Sequence, residues 1–163
     1  MGLFGFGKKE KVNDLKAILT GKVIPIEQVP DETFAGKLLG DGIAFEPEND
    51  CVVVAPAPCT VISASEDMKH ACGIQLDNGL ELLIHIGIDT VDMNGDGFEI
   101  LVKEGQKVKT GTPLVRFDAE KIKAAGHPAT TMLIITDAAE NKNITFDVDK
   151  QVTKAETTVC TFE

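Results

Sequence analysis

The sequence contains no tryptophan and no tyrosine, and its aromatic content rests on eight phenylalanines. Platforms on which nucleic-acid bases could stack are therefore scarce. Basic residues are also in deficit, because 16 lysines and arginines stand against 26 aspartates and glutamates, which gives a net charge of −10. A phosphate backbone repels such a surface, so nucleic acid is not expected as a partner.

Long apolar runs and paired cysteines are missing as well. No segment reaches the roughly 18 apolar residues that a membrane span needs. The four cysteines, at positions 51, 59, 72 and 160, include no C-x-x-C pair, and a chain of 163 residues can build a core without disulfides. We therefore expect reduced thiols and a cytoplasmic protein.

The first residues, MGLFGFGKKEKVND, have too short an apolar part for a signal peptide. We expect residues 1–14 to form a flexible tail, followed by one domain over residues 15–163. The alternative is a weak contact of residues 1–11 with a membrane surface through a short amphipathic helix. Gly5 and Gly7 disfavour that helix.

The rest of the sequence has a β pattern. Short apolar runs alternate with turn signals at intervals of about eight to twelve residues, which is typical of a β-sandwich or barrel. We predict an all-β protein, an antiparallel β-sandwich or barrel with one or two short helical turns. The helical turns are expected at 119–125, capped by Asp118, and within 30–38, capped by Asp31. The predicted strands are 23–25, 42–46, 51–55, 60–63, 73–76, 80–86, 114–117, 132–136 and 144–146.

The apolar run LLIHIGIDTV, residues 82–91, carries a titratable ring, His85, in the middle of a predicted strand. Asn78–Gly79, just upstream, is typical of a two-residue type I′ hairpin turn. That turn pairs Cys72 with His85. His70 lies two residues before Cys72, so it is expected on the same face as His85. A register slip of one residue would separate the two histidines onto opposite faces.

Two histidines on one face suit three kinds of chemistry. A neutral imidazole can attack phosphorus while the second ring stabilises the phosphoryl oxygens, and an apolar wall keeps the nucleophile neutral. Zinc binding with Cys72 as a third ligand is an alternative, although the sequence has no local ligand pair such as H-E-x-x-H. General acid–base catalysis is the third. The remaining histidine, His127, is expected in a loop.

Three segments are informative together: VPDETFAGKLLGDGIAFEP, KHACGIQLDNGLELLIHIGIDTV and GDGFEILVKEGQKVKTG. In this order they resemble the glucose-class IIA proteins of the bacterial phosphoenolpyruvate-dependent sugar phosphotransferase system. The resemblance covers residues 15–162, roughly, and its most specific part is H-x-G-I-D-T-V. It implies an antiparallel β-sandwich or barrel, in agreement with the strand pattern.

The resemblance also implies a function. His85 would accept a phosphoryl group from the histidine phosphocarrier protein HPr and pass it to a cysteine of a sugar-permease IIB domain. His70 would hold the phosphoryl oxygens, and neither a metal nor a cofactor would take part. Family members of this kind also signal sugar status through their phosphorylation state. A shallow apolar docking patch with an acidic rim is implied, with Phe34, Leu39, Leu83 and Val91 in the patch and Asp31 and Asp89 in the rim.

The sequence departs from the family pattern near this site. Met68 stands where the family usually has a threonine that orients the supporting histidine. Cys59 replaces an expected glycine, and Glu66 replaces an apolar residue. These changes affect the expected transfer rate and the choice of partner more than the fold.

One segment suggests a different class of protein. VKEGQKVKTGTPLVRFDAEK, residues 102–121, matches the spacing of a lipoyl or biotinyl carrier hairpin, with Lys121 as the modified lysine. Such a lysine must lie at an exposed hairpin tip. The residues after Lys121 favour a helix instead, so a shared hairpin geometry explains the spacing better.

Overall fold

The computed structural model describes residues 12–163, and within this range it contains fourteen short strands and two short α-helices. The helices are α1 (Glu32–Ala35) and α2 (Ala119–Ala124), and 3-10 turns occupy Ile26–Gln28 and Thr90–Met93. No helix in residues 12–163 is long and apolar enough to cross a membrane. The strands are β1 (Asp14–Lys16), β2 (Gly21–Pro25), β3 (Asp41–Pro47), β4 (Val52–Val54), β5 (Cys59–Ser63), β6 (Ala71–Gln75), β7 (Glu81–Ile86), β8 (Phe98–Ile100), β9 (Lys107–Val108), β10 (Pro113–Phe117), β11 (Thr131–Asp137), β12 (Thr145–Phe146), β13 (Lys150–Val152) and β14 (Thr158–Thr161).

The strands form one large sheet and two small ones. The eight-stranded sheet has the order β13-β2-β3-β11-β7-β6-β5-β9, and the three-stranded sheets have the orders β1-β14-β12 and β4-β10-β8. Every strand pair within residues 12–163 is antiparallel. This confirms the predicted all-β fold with short helical turns.

The large sheet is apolar on both faces near its centre. Along β7 the side chains alternate, and Leu82, Ile84 and Ile86 enter the main core. Leu83 and His85 point to the opposite face, where β11 contributes Met132 directly across from His85. A second, smaller apolar cluster covers part of that face, and it consists of Ile24, Ile26, Val29, Phe34, Ala44, Ile88, Met132 and Ile134. His85 therefore lies where this smaller cluster ends.

The predicted helix caps are confirmed. The carboxylate of Asp31 accepts a hydrogen bond from the Thr33 backbone N–H at 2.9 Å, which begins α1. The carboxylate of Asp118 accepts from the N–H groups of Glu120 and Lys121 at 3.0 and 3.2 Å, which begins α2. A side-chain acceptor at this position satisfies N–H groups that have no partner inside the helix.

All nine predicted strands are present with small differences at their ends, and five further strands were missed, namely β1, β8, β9, β13 and β14. These five have two to four residues each, too few for an alternating pattern to emerge. β1 begins at Asp14, the last residue of the predicted tail. The rest of that tail, and the membrane contact predicted for residues 1–11, lie outside the described residues.

The predicted two-residue hairpin turn is wrong. Leu76 N–H donates to the Leu80 carbonyl at 2.9 Å, so the loop has three residues, and only its last one, Gly79, has a positive φ (93°). The Asn78 side chain instead accepts from Leu80 N–H at 3.0 Å. A three-residue loop shifts the pairing by one position. As a result, His85 pairs with Ala71 rather than with Cys72.

Candidate active site

His85 is the next-to-last residue of β7, and the turn that follows holds its ring. Gly87 has a φ of 79°, which directs its carbonyl back toward the ring, and this oxygen lies 3.0 Å from His85 Nδ1. A carbonyl oxygen can only accept a hydrogen bond, so Nδ1 must carry the proton. In the neutral ring, the lone pair is then on Nε2. The turn thus leaves the Nε2 lone pair of the neutral His85 ring without the proton.

The residues of this turn are held from the neighbouring segment. Gly87 N–H donates to the Thr130 carbonyl at 2.9 Å, and Ile88 N–H donates to the Pro128 carbonyl at 3.1 Å. Segment 128–130 leads directly into β11, the strand paired with β7. The Gly87 carbonyl is therefore fixed relative to the sheet that carries His85.

His70 lies against His85. The ring centroids are 4.9 Å apart at an interplanar angle of 78°, and Phe98 packs on the other side of the His70 ring at 6.3 Å. The His70 residue is 3% exposed, whereas His85 is half-buried. The structure thus brings together the two histidines that the sequence analysis selected.

The route by which they meet differs from the prediction. The predicted register, in which Cys72 pairs with His85, is wrong by one residue, and such a slip was expected to separate the histidines. They meet because His70 belongs to the turn before β6 and not to the strand, so strict alternation does not apply to it. Its carbonyl still accepts from Ile86 N–H at 2.8 Å, which ties the turn to the end of β7.

The corrected register removes the third ligand of the zinc alternative. Cys72 pairs with Ile84 and lies with it in the main core, on the face opposite to His85. Burial raises the pKa of its thiol to about 12, which disfavours the thiolate that zinc requires. Within residues 12–163, no group of three histidine, cysteine, aspartate or glutamate side chains is placed to hold a metal ion.

Burial keeps both imidazoles neutral near pH 7. Burial, with a smaller contribution from the neighbouring His70, lowers the pKa of His85 to about 4, against the opposing effects of the Gly87 carbonyl, Asp31 and Asp89. Burial also lowers the pKa of His70. A neutral His85 has a free lone pair on Nε2, which is the form that attacks an electrophile.

The predicted docking residues differ in their burial and in their relation to His85. Phe34 is buried, and its ring packs against the His85 ring with the two centroids 4.9 Å apart. Leu83 lies two residues before His85 and is half-buried. Asp31 and Asp89 are close enough to His85 for their negative charges to raise the pKa of its ring. The large apolar side chains with the most exposure among residues 12–163 are Leu38 (75%), Val91 (54%), Met68 (50%) and Leu39 (41%).

Leu38 and Met68 are exposed apolar residues that the predicted patch did not include. Leu38 follows the end of α1, and Met68 lies in the turn that leads to His70. The adjacent pair Leu38–Leu39 was an available signal for Leu38, because neighbouring apolar residues that are both exposed contribute to a contiguous apolar surface. Glu66, the other unusual residue of the 66–70 turn, is exposed and pairs with Lys69 at 3.4 Å.

The comparisons with known proteins agree with this geometry. The model of a family described as the phosphoenolpyruvate-dependent sugar phosphotransferase system, EIIA 1, matches residues 13–141. The chain belongs to this EIIA family. It is similar to the glucose-specific EIIA component of Bacillus cereus, with 43% identity over 157 residues that cover 96% of this chain and 94% of the relative. The glucose-specific EIIA component of Staphylococcus aureus strain COL is 42% identical over 158 residues, covering 96% and 94%.

A solved structure supports the same conclusion. Glucose permease IIA from Mycoplasma capricolum superimposes with a TM-score of 0.78 at 31% identity, covering 95% of this chain and 97% of that one. The family resemblance drawn from the sequence is thereby confirmed, together with the β-sandwich fold. As an EIIA family member, the protein is a phosphotransferase component of a sugar transport system.

The lipoyl or biotinyl alternative does not fit this EIIA protein. Lys121 lies inside α2 instead of at a hairpin tip, and its ammonium group binds Asp96 at 2.8 Å. A swinging cofactor needs a lysine that projects freely from a turn. His127 lies in the loop after α2, as predicted.

We expect the His85 ring of this EIIA protein to titrate with a midpoint near pH 4 rather than at the ordinary 6.5. The unfolded chain then binds more protons than the folded one between these two values, so the stability that a neutral His85 provides is complete above pH 6.5 and is lost as the pH falls toward 4. Ring NMR titration, with the resonance assigned from His85→Ala, measures the midpoint. A midpoint at 6.5 would contradict the buried, neutral nucleophile.

We expect Gly87→Ala to destabilise the EIIA fold more than the same substitution does at a glycine that has a positive φ but open space around it. A Cβ at Gly87 would lie 2.3 Å from the Thr90 methyl group, in addition to the strain of a φ of 79°. Gly126 is the matched control, since its φ is 85° and a Cβ there meets nothing within 4 Å. Strain alone costs about 1–3 kcal/mol in each case.

Urea unfolding of the two variants separates strain from clash. Gly87→Ala should lose more free energy of unfolding than Gly126→Ala, and Thr90→Ser in the Gly87→Ala background should recover part of the difference because it removes the clashing methyl. Equal losses in the two single variants would show that the contact with Thr90 is not tight.

Proposed function

We propose that the protein is a phosphocarrier in which His85 accepts a phosphoryl group from phosphorylated HPr and delivers it to a cysteine of a sugar-permease IIB domain. The observation that carries the proposal is the hydrogen bond from His85 Nδ1 to the Gly87 carbonyl, which leaves the Nε2 lone pair free beside His70. Membership of the EIIA family supports the same relay.

The acceptance step follows from this geometry. The Nε2 lone pair of His85 forms a bond to phosphorus while the bond from phosphorus to the donor histidine breaks, and the electron pair of that bond stays on the donor ring. The proton on Nδ1 remains in place, so the His85 ring gains positive charge. The Gly87 carbonyl at 3.0 Å and the carboxylates of Asp31 and Asp89 stabilise that charge.

The delivery step reverses these movements. A cysteine thiolate of the IIB domain attacks phosphorus, the bond to Nε2 breaks, and its electron pair returns to the His85 ring, which is neutral again. His70, as a neutral ring 4.9 Å away, donates one N–H to the phosphoryl oxygens as the group leaves. The apolar surroundings of Phe34 and Leu83 keep water from the N–P bond in the interval.

Docking uses the apolar patch of Leu38, Leu39, Met68, Leu83 and Val91, with Asp31 and Asp89 in its acidic rim. Such a rim favours partners with basic rims and increases the rate of encounter. The chemistry requires neither a metal nor a cofactor, since both transfers pass directly between side chains of docked proteins. Because its donor and its acceptor domain are intracellular in such a relay, we place the protein in the cytoplasm.

The relatives named glucose-specific suggest that the relay serves glucose uptake. A second proposal is that the phosphorylation state of His85 also signals sugar status, since it changes the charge at the centre of the docking patch.

Incubation with labelled phosphoenolpyruvate, enzyme I and HPr tests the phosphocarrier function. We expect one acid-labile, base-stable label per chain that depends on HPr and that is discharged by a IIB domain from a small panel that includes a glucose-specific one. A protein that stays unlabelled in the complete system would end the proposal. Discharge by the glucose-specific domain alone would support the sugar assignment.

A further inference from the structure

Thr90 is a fully buried polar residue at the edge of the site. It begins the 3-10 turn Thr90–Met93 and is 0% exposed. A hydroxyl in such a place needs a hydrogen-bond partner, since an unsatisfied one is costly. Its partner is the carbonyl of Ile86, four residues earlier and directly after His85. The hydroxyl thus closes the loop in which the Gly87 turn lies.

Ile86 connects this hydroxyl with His70. The Ile86 carbonyl accepts from Thr90, while the Ile86 N–H donates to the His70 carbonyl at 2.8 Å. Ile86 is therefore held by Thr90 through its carbonyl, and it holds the turn of His70 through its N–H. Movement of Ile86 would change the distance between the two rings.

Thr90 also packs against Gly87. Its methyl group lies against the open side of this glycine, at 2.3 Å from where a Cβ would stand, and its Oγ1 is 3.2 Å from the same point. The Gly87 carbonyl is the acceptor for His85 Nδ1. Thr90 therefore contacts both Ile86, the residue before the turn, and Gly87, whose carbonyl fixes the tautomer of His85.

We propose that Thr90 is a positioning residue for both histidines, because its hydroxyl, bound to the Ile86 carbonyl, fixes the Gly87 turn and the approach of His70. Without this bond the turn is held only by the N–H groups of Gly87 and Ile88, which donate to segment 128–130, and the Gly87 carbonyl is free to move away from Nδ1. His85 then populates the tautomer with the proton on Nε2, which has no lone pair for attack on phosphorus. The catalytic consequence rests on the proposed phosphocarrier function, whereas the tautomer can be measured without it.

The test compares Thr90→Val, which removes the hydroxyl at nearly constant shape, with Thr90→Ser, which keeps it. Thr158→Val is the matched control, because the Thr158 hydroxyl also donates a hydrogen bond, to the Asp14 carboxylate at 3.0 Å, and its strand β14 belongs to a different sheet from β7. Nitrogen-15 NMR of the His85 ring reports the tautomer in the free protein. The delivery rate to a IIB domain reports the consequence.

In Thr90→Val, we expect loss of the dominant Nδ1–H tautomer and a fall in kcat for delivery of between about tenfold and a hundredfold. The KM for the IIB domain should change by less than about twofold, because no docking residue is altered. Thr90→Ser should resemble the wild type in both measurements. Thr158→Val should lose stability but keep the tautomer and kcat.

A normal tautomer and a normal kcat in Thr90→Val would overturn the proposal, and so would equal changes in Thr158→Val. If Thr90→Val does not fold, Thr90→Ala and Thr90→Ser provide the same comparison, since both lack the methyl group and differ only in the hydroxyl. Failure of the phosphocarrier function would appear separately, as a wild type without label and with an unchanged ring spectrum.

Discussion

His85→Ala is expected to take up no label from the complete phosphoenolpyruvate, enzyme I and HPr system. The variant lacks the Nε2 lone pair, and no neighbouring group can replace it. His70 is not expected to replace it, because this residue is 3% exposed and its ring contacts those of His85 and Phe98, which limits the access of a docked donor.

Two further variants make this result specific. His85→Gln keeps an amide that can donate to the Gly87 carbonyl but cannot act as a nucleophile, so we expect a folded and unlabelled protein. His127→Ala removes the loop histidine after α2 and should be labelled like the wild type. Urea unfolding verifies that each variant is folded. Equal labelling of His85→Ala and wild type would remove His85 from the mechanism.

His70→Ala is expected to accept the phosphoryl group but to deliver it poorly. The nucleophile and its tautomer are intact in this variant, because the bond from His85 Nδ1 to the Gly87 carbonyl does not involve His70. Delivery is more sensitive to the loss of His70 than acceptance is. During delivery the phosphoryl group must be aligned with the attacking thiolate, and the N–H of His70 stabilises the negative charge on its oxygens. Loss of one such donor typically costs about 10²–10³ in kcat.

Single-turnover transfer from the labelled variant to a IIB domain measures this loss. His70→Gln is the informative companion, because its amide N–H groups can replace part of the donation, so its rate should fall between those of His70→Ala and wild type. Removal of the His70 ring should also raise the pKa of His85, since that neighbour contributes to lowering it. Delivery at the wild-type rate would show that His70 only fills space.

Much of the fold was predictable because it depends on neighbours in sequence. The apolar run of residues 82–91 was recognisable as a strand that carries His85, and Asp31 and Asp118 were recognisable as caps. The five missed strands pair only through distant partners, as β1 does with β14. Strands of two to four residues gain their stability from such pairing and not from a local pattern.

The contact between the histidines shows the limit of local reasoning. The Asn78–Gly79 signal correctly predicted a hairpin, but the loop has one more residue than expected, and every pair along β6 and β7 shifts with it. The two rings were expected together for a reason that is wrong. They meet because His70 leaves the strand and turns toward the site.

The sequence by itself determined the all-β fold, the caps, the family and the identity of the two histidines, since these depend on residue type and short spacing. Only the tertiary structure decided the register that moves Cys72 into the core, the burial that lowers the pKa of His85, and the contact of Thr90 with Ile86. Each of these depends on which segments pack together. The packing of these segments is set by the free energy of the whole sheet, and the local sequence of a single segment does not determine it.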